Sequence, residues 1–579
     1  MRAGAHNPVD AAADPAIVAA MAEPDLILHD ARVVTLDPAR PRVEALSVRD
    51  GRIAAVGASA ELLRGRGRAT RIVDAGGQTV TPGIFDAHPH MDREGLKRRG
   101  GIAIRGLDSV AGIVEIVREA ASRTPAGEWI VTMPMELAPE HGMPRYVSRP
   151  DQLAEGRLPD RRDLDAAAPD HPVLIRSIWG WWGVPPFPSV ANSAALALAG
   201  IDRDTGAPHG TEIERDGAGE PTGVMRETNR APILEYTLFG RLPRFTFEDR
   251  LIAARTAPRL YNAAGTTAGF EGHGLTPAIV ESYRRADQAG DLTVRLAATL
   301  SVPSAALDDR GVGDYLRTWA DRIAAPGERC GNLATDGICL DFGDPEIARI
   351  IGAGYPYEQW AGHFYQSVAF DRLVEIATLA AGLGIRLACI AYDIEALLRA
   401  FEAVDARIPI AEKRWVIMHL TRATDDQLRR IGALGAMVTV TPNFMYHATT
   451  RLGLAELGAD GTPIRRLLDA GIPVALSSDN VPVSMFWAMW SALTRYAADL
   501  DVRLGESFLA REEALELIAR TGHRLTWDED RRGTIAPGMD ADFVVLDRDP
   551  LSCPEDDIRE TRAVRTFLAG NQVYSAAAT

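Results

Sequence analysis

The 579-residue sequence predicts an α/β fold: a (β/α)8 TIM-like barrel inserted in a small β-sandwich formed by both chain ends. Three observations predict it. The interior alternates amphipathic helical stretches with short apolar runs, the pattern of parallel strands covered by helices. Both chain ends instead carry short strands separated by Gly, Pro and Asp turns. Residues 80 to 92 run from an apolar strand into His88 and His90, where an open doubly wound sheet usually announces a Gly-rich phosphate loop.

Taken in order, residues 1–24 are rich in Ala, Asp and Pro, lack a basic start and an apolar core, and read as a disordered leader. Residues 25–79 read as strands around Leu26, Val33, Leu46 and Ile53, and residues 531–579 supply matching strands at 541–546 and 563–568. Together these ends are expected to form the sandwich. Residues 80–530 are then the barrel, with strands expected at 80–86, 128–133, 172–178, 266–271, 385–391, 415–419, 436–441 and 472–478.

Composition narrows the class. Hydrophobic content of 46% and charged content of 25% suit a globular chain, and no run approaches the roughly 20 apolar residues of a membrane span. A formal charge of -16 argues against nucleic acid as a partner, and the basic run Arg64 to Arg68 reads as a solvated turn. Cys330, Cys339, Cys389 and Cys553 are too few for a disulfide framework, which fits a reducing, cytoplasmic location. A small-molecule substrate is expected, and a homodimer is compatible with the chain.

In a barrel of this kind, working residues project from the C-terminal strand ends. His88 and His90 share one face of an extended segment, because side chains there repeat every two residues. His419 ends the run Trp415 to Met418, and Asp479 follows Val474 to Ser478. Imidazoles and a carboxylate converging at one mouth suit zinc or a similar divalent ion. Trp179, Trp181, Trp182 and Trp487 are expected to wall that mouth for an apolar or aromatic substrate. Arg93, Lys97, Arg98 and Arg99 read as the cover of a helix surface.

The segment Thr81-Pro82-Gly83-Ile84-Phe85-Asp86-Ala87-His88-Pro89-His90 resembles the signature of the amidohydrolase superfamily, within it the amidohydrolase-3 branch. Residues 191–196 and 220–227, Ser478-Asp479 and residues 533–543 are similar to further segments of that branch. The resemblance implies metal-dependent hydrolysis of a non-peptide C–N bond. A hydrophobic or aromatic N-substituted amide or formamide is the favoured substrate class. It also implies that Asp479 binds the ion and serves as general base, while His419 ligates or helps hold the oxyanion. Two departures stand out: Cys389 takes the place of a usual ligand histidine, and Asn332 that of a bridging lysine. One ion, most readily Zn2+, is therefore favoured over two, held by His88, His90 and Asp479 with His419 beside them. Cys389 is either a thiolate ligand or an inert buried thiol, and Glu271 and His273 are candidates for the missing bridge. The alternatives are a deaminase of an aromatic or cyclic amidine, and a barrel that binds ligand without catalysis.

Overall fold

The computed structural model describes residues 23–99, 101–178, 180, 183, 185–323, 331–355, 357–358, 360, 367–447, 461–505 and 509–576. Of the expected leader, residues 1–22 lie outside these, as do Trp179, Trp181, Trp182 and Cys330.

The centre is a (β/α)8 barrel. Its parallel strands are β1 (Ile84–Asp86), β2 (Thr266–Leu275), β3 (Arg295–Ser301), β4 (Leu333–Cys339), β5 (Leu387–Ile390), β6 (Val416–Met418), β7 (Met437–Val440) and β8 (Val474–Leu476). They pair in chain order from β1 to β8, and the Ala87 N–H donates to the Leu476 carbonyl at 3.1 Å across the remaining seam. Side chains alternate as a strand period of two requires. Phe85, Phe270, Ala388, Ile390, Val416 and Met418 fill the barrel interior. Leu387, Cys389, Ile417 and Val438 face the surrounding helices. Leu525, on the turn Thr521–Thr526, joins the interior cluster.

Two of the eight expected barrel strands prove to belong elsewhere. Ile130–Glu140 and Val173–Ile175 sit in a separate seven-stranded sheet, while the barrel uses β3 and β4 in their place. The sequence signal was real but ambiguous: these two runs are apolar, each neighbours an amphipathic helix, and they pair in parallel like barrel strands. Antiparallel neighbours, Met143–Tyr146 on one side and Phe187–Ala191 on the other, then take them into a different sheet. This sheet has its own core, including Ile104, Ile113, Val117, Leu164 and Ile175.

Strands from the two chain ends pair directly. Thr79–Pro82 lies parallel to Arg32–Val34 and antiparallel to Phe543–Leu546, within one six-stranded sheet. A four-stranded sheet of Leu26–His29, Ala45–Arg49, Arg52–Gly57 and Arg71–Asp74 shares a core with it through Leu28, Val33, Leu46, Val80, Phe543 and Phe567. Thr79–Pro82 passes into β1 through Gly83. A Cβ there would stand 2.0 Å from the Thr267 hydroxyl, so β2 can approach only a glycine.

A buried ionic cluster fastens this sheet to the barrel. Arg295 of β3 donates to both Asp542 oxygens at 2.7 and 3.0 Å, and Arg532 reaches Asp540 at 2.9 Å and Asp528 at 2.7 Å. Burial raises the Asp542 pKa, but Arg295 and the Ala569 N–H outweigh it, so the carboxyl titrates below its ordinary range. Asp542→Ala, which removes the bidentate partner of a buried guanidinium, should lower stability by about 3–5 kcal/mol, read from urea unfolding. A depressed folded pKa contributes stability above the unfolded value of about 3.9. The wild-type advantage over the variant should therefore shrink as pH falls through that value.

Candidate metal centre

The site grows from the seam between β1 and β8. The buried Asp86 carboxylate accepts the backbone N–H groups of His88 and Ser478, each at 3.0 Å, and the Ser478 hydroxyl. Burial pushes its pKa up to about 6 against the lowering effect of those donors. One side chain thus sets the backbone immediately before both His88 and Asp479.

His88, His90, His273, Glu271, His419 and Asp479 are all buried and converge at the C-terminal strand ends. The His88 ring lies edge-on to those of His90 and His419, with centroids 4.3 and 4.5 Å away. His88 Nε2 stands 3.9 Å from Asp479 Oδ1, and His90 Nε2 stands 2.9 Å from the same oxygen. Two overlapping donor sets result, one of His88, His419 and Asp479 and the other of His88, His90 and His273.

Three of these residues have left-handed backbone: His90 (φ 51°), His419 (φ 55°) and Asp479 (φ 50°), with Asn480 (φ 49°) following. Only short polar side chains enter that region readily, at a cost of order 1–3 kcal/mol each, and such outliers cluster at functional sites.

Protonation states follow from the surroundings. Burial, then the neighbouring His90, His419 and His273, hold His88 well below its ordinary pKa, so it is neutral. Burial also lowers His419. Burial alone would raise Asp479, but His90 dominates and keeps it ionised. His419 Nδ1 lies 2.8 Å from Thr441 Oγ1, which lies 2.7 Å from Ser477 Oγ, and that hydroxyl donates to the Val440 carbonyl at 3.2 Å. Donors in one direction along this chain put the His419 proton on Nδ1 and leave Nε2 as a lone pair facing His88 and Asp479.

The residues present fit a divalent ion. Both ring nitrogens of His88 are buried without a hydrogen-bond partner, a costly arrangement for a neutral imidazole unless a cation takes a lone pair. Tetrahedral coordination with bonds of about 2.0–2.1 Å separates ligand atoms by about 3.3 Å, and the observed 2.9 and 3.9 Å bracket that value.

Several expectations need correction. Cys389 shares the outer face of β5 with Leu387, packed among Phe401 and Ile417 of the helix-side core, and burial pushes its thiol pKa far up. It points away from the cluster, so the inert thiol is what the fold contains. Asn332 immediately precedes β4, bonded to the Leu292 carbonyl and to Arg295. At about 3.3 Å per residue it is roughly 20 Å from the strand's other end, which carries Cys339. Trp487 is buried in the helix α3 (Met485–Thr494), edge-on to Tyr446 and Trp490, with its indole N–H donated to the His141 carbonyl at 2.9 Å. It packs the structure rather than walling the mouth.

Arg93 and Lys97 do not cover a helix surface either. They lie on α1 (Met91–Arg99), 8% exposed each, because α1 presses on α2 (Phe247–Ala263) so closely that a Cβ on Gly95 would meet the Ala253 Cβ at 2.7 Å. Lys97 pairs with Glu94 at 2.6 Å, and Glu94 accepts from Asn480 at 2.7 Å. Arg93 reaches His90 Nε2 at 3.1 Å and His273 Nδ1 at 2.7 Å. The available signal was spacing: a residue three after His90 at a helix start lies on the same face. Arg98 is exposed, as expected.

Glu271 and His273 enter the site where the pairing of β2 with β3 shifts register, between Glu271 and Leu275. Glu271 Oε2 accepts the His90 N–H at 2.8 Å, and its Oε1 stands 3.1 Å from His90 Nδ1.

Fold and site define the class: a (β/α)8 barrel with imidazoles and carboxylates gathered at its mouth. The model of the amidohydrolase family matches residues 71–574, and the chain belongs to that family. It is 27% identical to the N-substituted formamide deformylase of Arthrobacter pascens over 562 residues, 94% of this chain and 97% of that protein. Protein LONG AFTER FAR-RED 3 of Arabidopsis thaliana is 21% identical over 575 residues, 95% of this chain and 91% of that one. Among solved structures, an uncharacterized metal-dependent hydrolase from Pyrococcus horikoshii shares the fold with a TM-score of 0.65 at 21% identity, covering 92% of this chain and 99% of that chain. Among the described residues no helix is long and apolar enough to cross a membrane.

Thr441→Val removes the acceptor that orients His419 while keeping its shape. Metal affinity, measured by competition with a chromophoric chelator, should fall about 10–100-fold.

Proposed function

We propose that the protein hydrolyses the C–N bond of a hydrophobic N-substituted formamide or amide, using one divalent ion, zinc foremost, held by His88, His419 and Asp479. The observation that carries this reading is His88, whose two buried ring nitrogens lack hydrogen-bond partners within reach of a carboxylate and two further imidazoles. The formamide deformylase relative, which aligns over nearly the whole chain, supports the substrate class.

When bound, such an ion polarises the scissile carbonyl and lowers the pKa of a water to about 7. The chain's own groups then divide the work. Ionised Asp479 accepts a proton from the attacking water at a carboxylate oxygen and returns it to the leaving nitrogen, so that one water is consumed and an amine and an acid are released. His419, with its proton on Nδ1 towards Thr441, offers only a lone pair at Nε2. Its role is therefore to hold the ion, and it has no N–H to give an oxyanion. Burial of the cluster excludes bulk water and strengthens each of these interactions.

The test is product analysis of the metal-reconstituted enzyme on a panel of N-substituted formamides, aromatic amides, lactams and cyclic amidines. Formate with a substituted amine is the expected outcome; ammonia from an amidine would replace this reading with a deaminase. Asp479→Asn should lower kcat by about 10²–10⁴-fold.

A further inference from the structure

Overlapping the set of His88, His419 and Asp479 lies a second set of His88, His90 and His273, with Glu271 against His90 on the β2 side. Glu271 Oε1 and His90 Nδ1 pair there at 3.1 Å, both buried. Asp92 Oδ1, on α1, is buried and unpartnered. Imidazoles gathered this closely, with carboxylates beside them, make a subsite for a second divalent ion.

The subsite already contains a cation. Arg93 is buried, and its guanidinium spans the gap between the two imidazoles, with Nη1 at 3.1 Å from His90 Nε2 and Nη2 at 2.7 Å from His273 Nδ1. A guanidinium only donates and keeps its charge at any accessible pH. The His273 Nδ1 lone pair is therefore taken. A dication beside it would meet a fixed positive charge in a dry, weakly screening environment. The position is built in: α1 is pinned to α2 at Gly95 and Ala253, and Lys97 on the next turn is held by Glu94, which Asn480 also contacts.

We infer that Arg93 is a resident cation that fills the second subsite of Glu271, His90 and His273, so that the protein holds one divalent ion where the donors alone would admit two. Arg93 is a positioning residue on this account, orienting His273 and His90 and balancing Glu271. The inference rests on the metal-dependent reading above and extends it to the number of ions.

Metal content decides it without recourse to turnover. Apoprotein is reconstituted with excess Zn2+, freed of loose metal by gel filtration, and analysed by plasma mass spectrometry. Wild type should hold about one equivalent, Arg93→Ala about two, and Arg93→Lys, which retains the charge, about one. Arg93→Met keeps the stem packing and replaces the alanine variant if circular dichroism shows that one unfolded. About one equivalent in a folded Arg93→Ala or Arg93→Met, or about two in wild type, would overturn the role of Arg93. No bound metal in any of the proteins would instead sink the hydrolase reading.

Discussion

Asp86 is the constraint on which the site depends. Eight parallel strands form a barrel only if the first and last meet, and here that seam has a buried carboxylate accepting from residues on both sides. The same contact sets the backbone leading into His88 and Asp479, so closing the barrel and building the centre are one event. A buried acid is costly, as its raised pKa records, and the donors from Ser478 and His88 compensate part of that cost. An alanine at this position would remove the seam's acceptor and leave two buried N–H groups unpaired.

Left-handed backbone at His90, His419 and Asp479 answers a second demand of the barrel mouth. A strand leaves the barrel pointing outward, and a residue whose side chain must turn back over the mouth needs an abrupt change of direction. Aspartate, asparagine and histidine tolerate that turn better than branched apolar residues. The residue types that make good ligands are thus also those that the local geometry admits. Strain stored in these turns is opposed by the surrounding packing, which keeps the donors close before any ion arrives.

Much of this was legible in the sequence. The family, the barrel and the convergence of His88, His90, His419 and Asp479 follow from strand-end placement, which depends on local pattern. What failed depended on parity and packing. Leu387-Ala388-Cys389-Ile390 is apolar throughout, so nothing in it says which alternate residues face inward, and a one-residue difference turns Cys389 from the mouth to the helices. The burial of Arg93 comes from the contact of Gly95 with Ala253, a partner nearly 160 positions away in the chain. The sheet that claims Ile130–Glu140 and Val173–Ile175 is distinguished from the barrel only by its antiparallel neighbours, and those are long-range pairings.

The Asp86–Ser478 contact spans 392 residues, and the separate sheet built from residues 102–227 is interposed before β2 can pair with β1. During synthesis, β1 therefore emerges with its two histidines long before the strand that closes on it. A nascent chain carries imidazoles but no complete cage, and at ribosomal rates of about 5–20 residues per second the wait is tens of seconds. Premature capture of metal by His88 and His90 would tie up an unclosed β1. Because Asp479 follows the last strand, the donor set of His88, His419 and Asp479 is complete only once the barrel has closed.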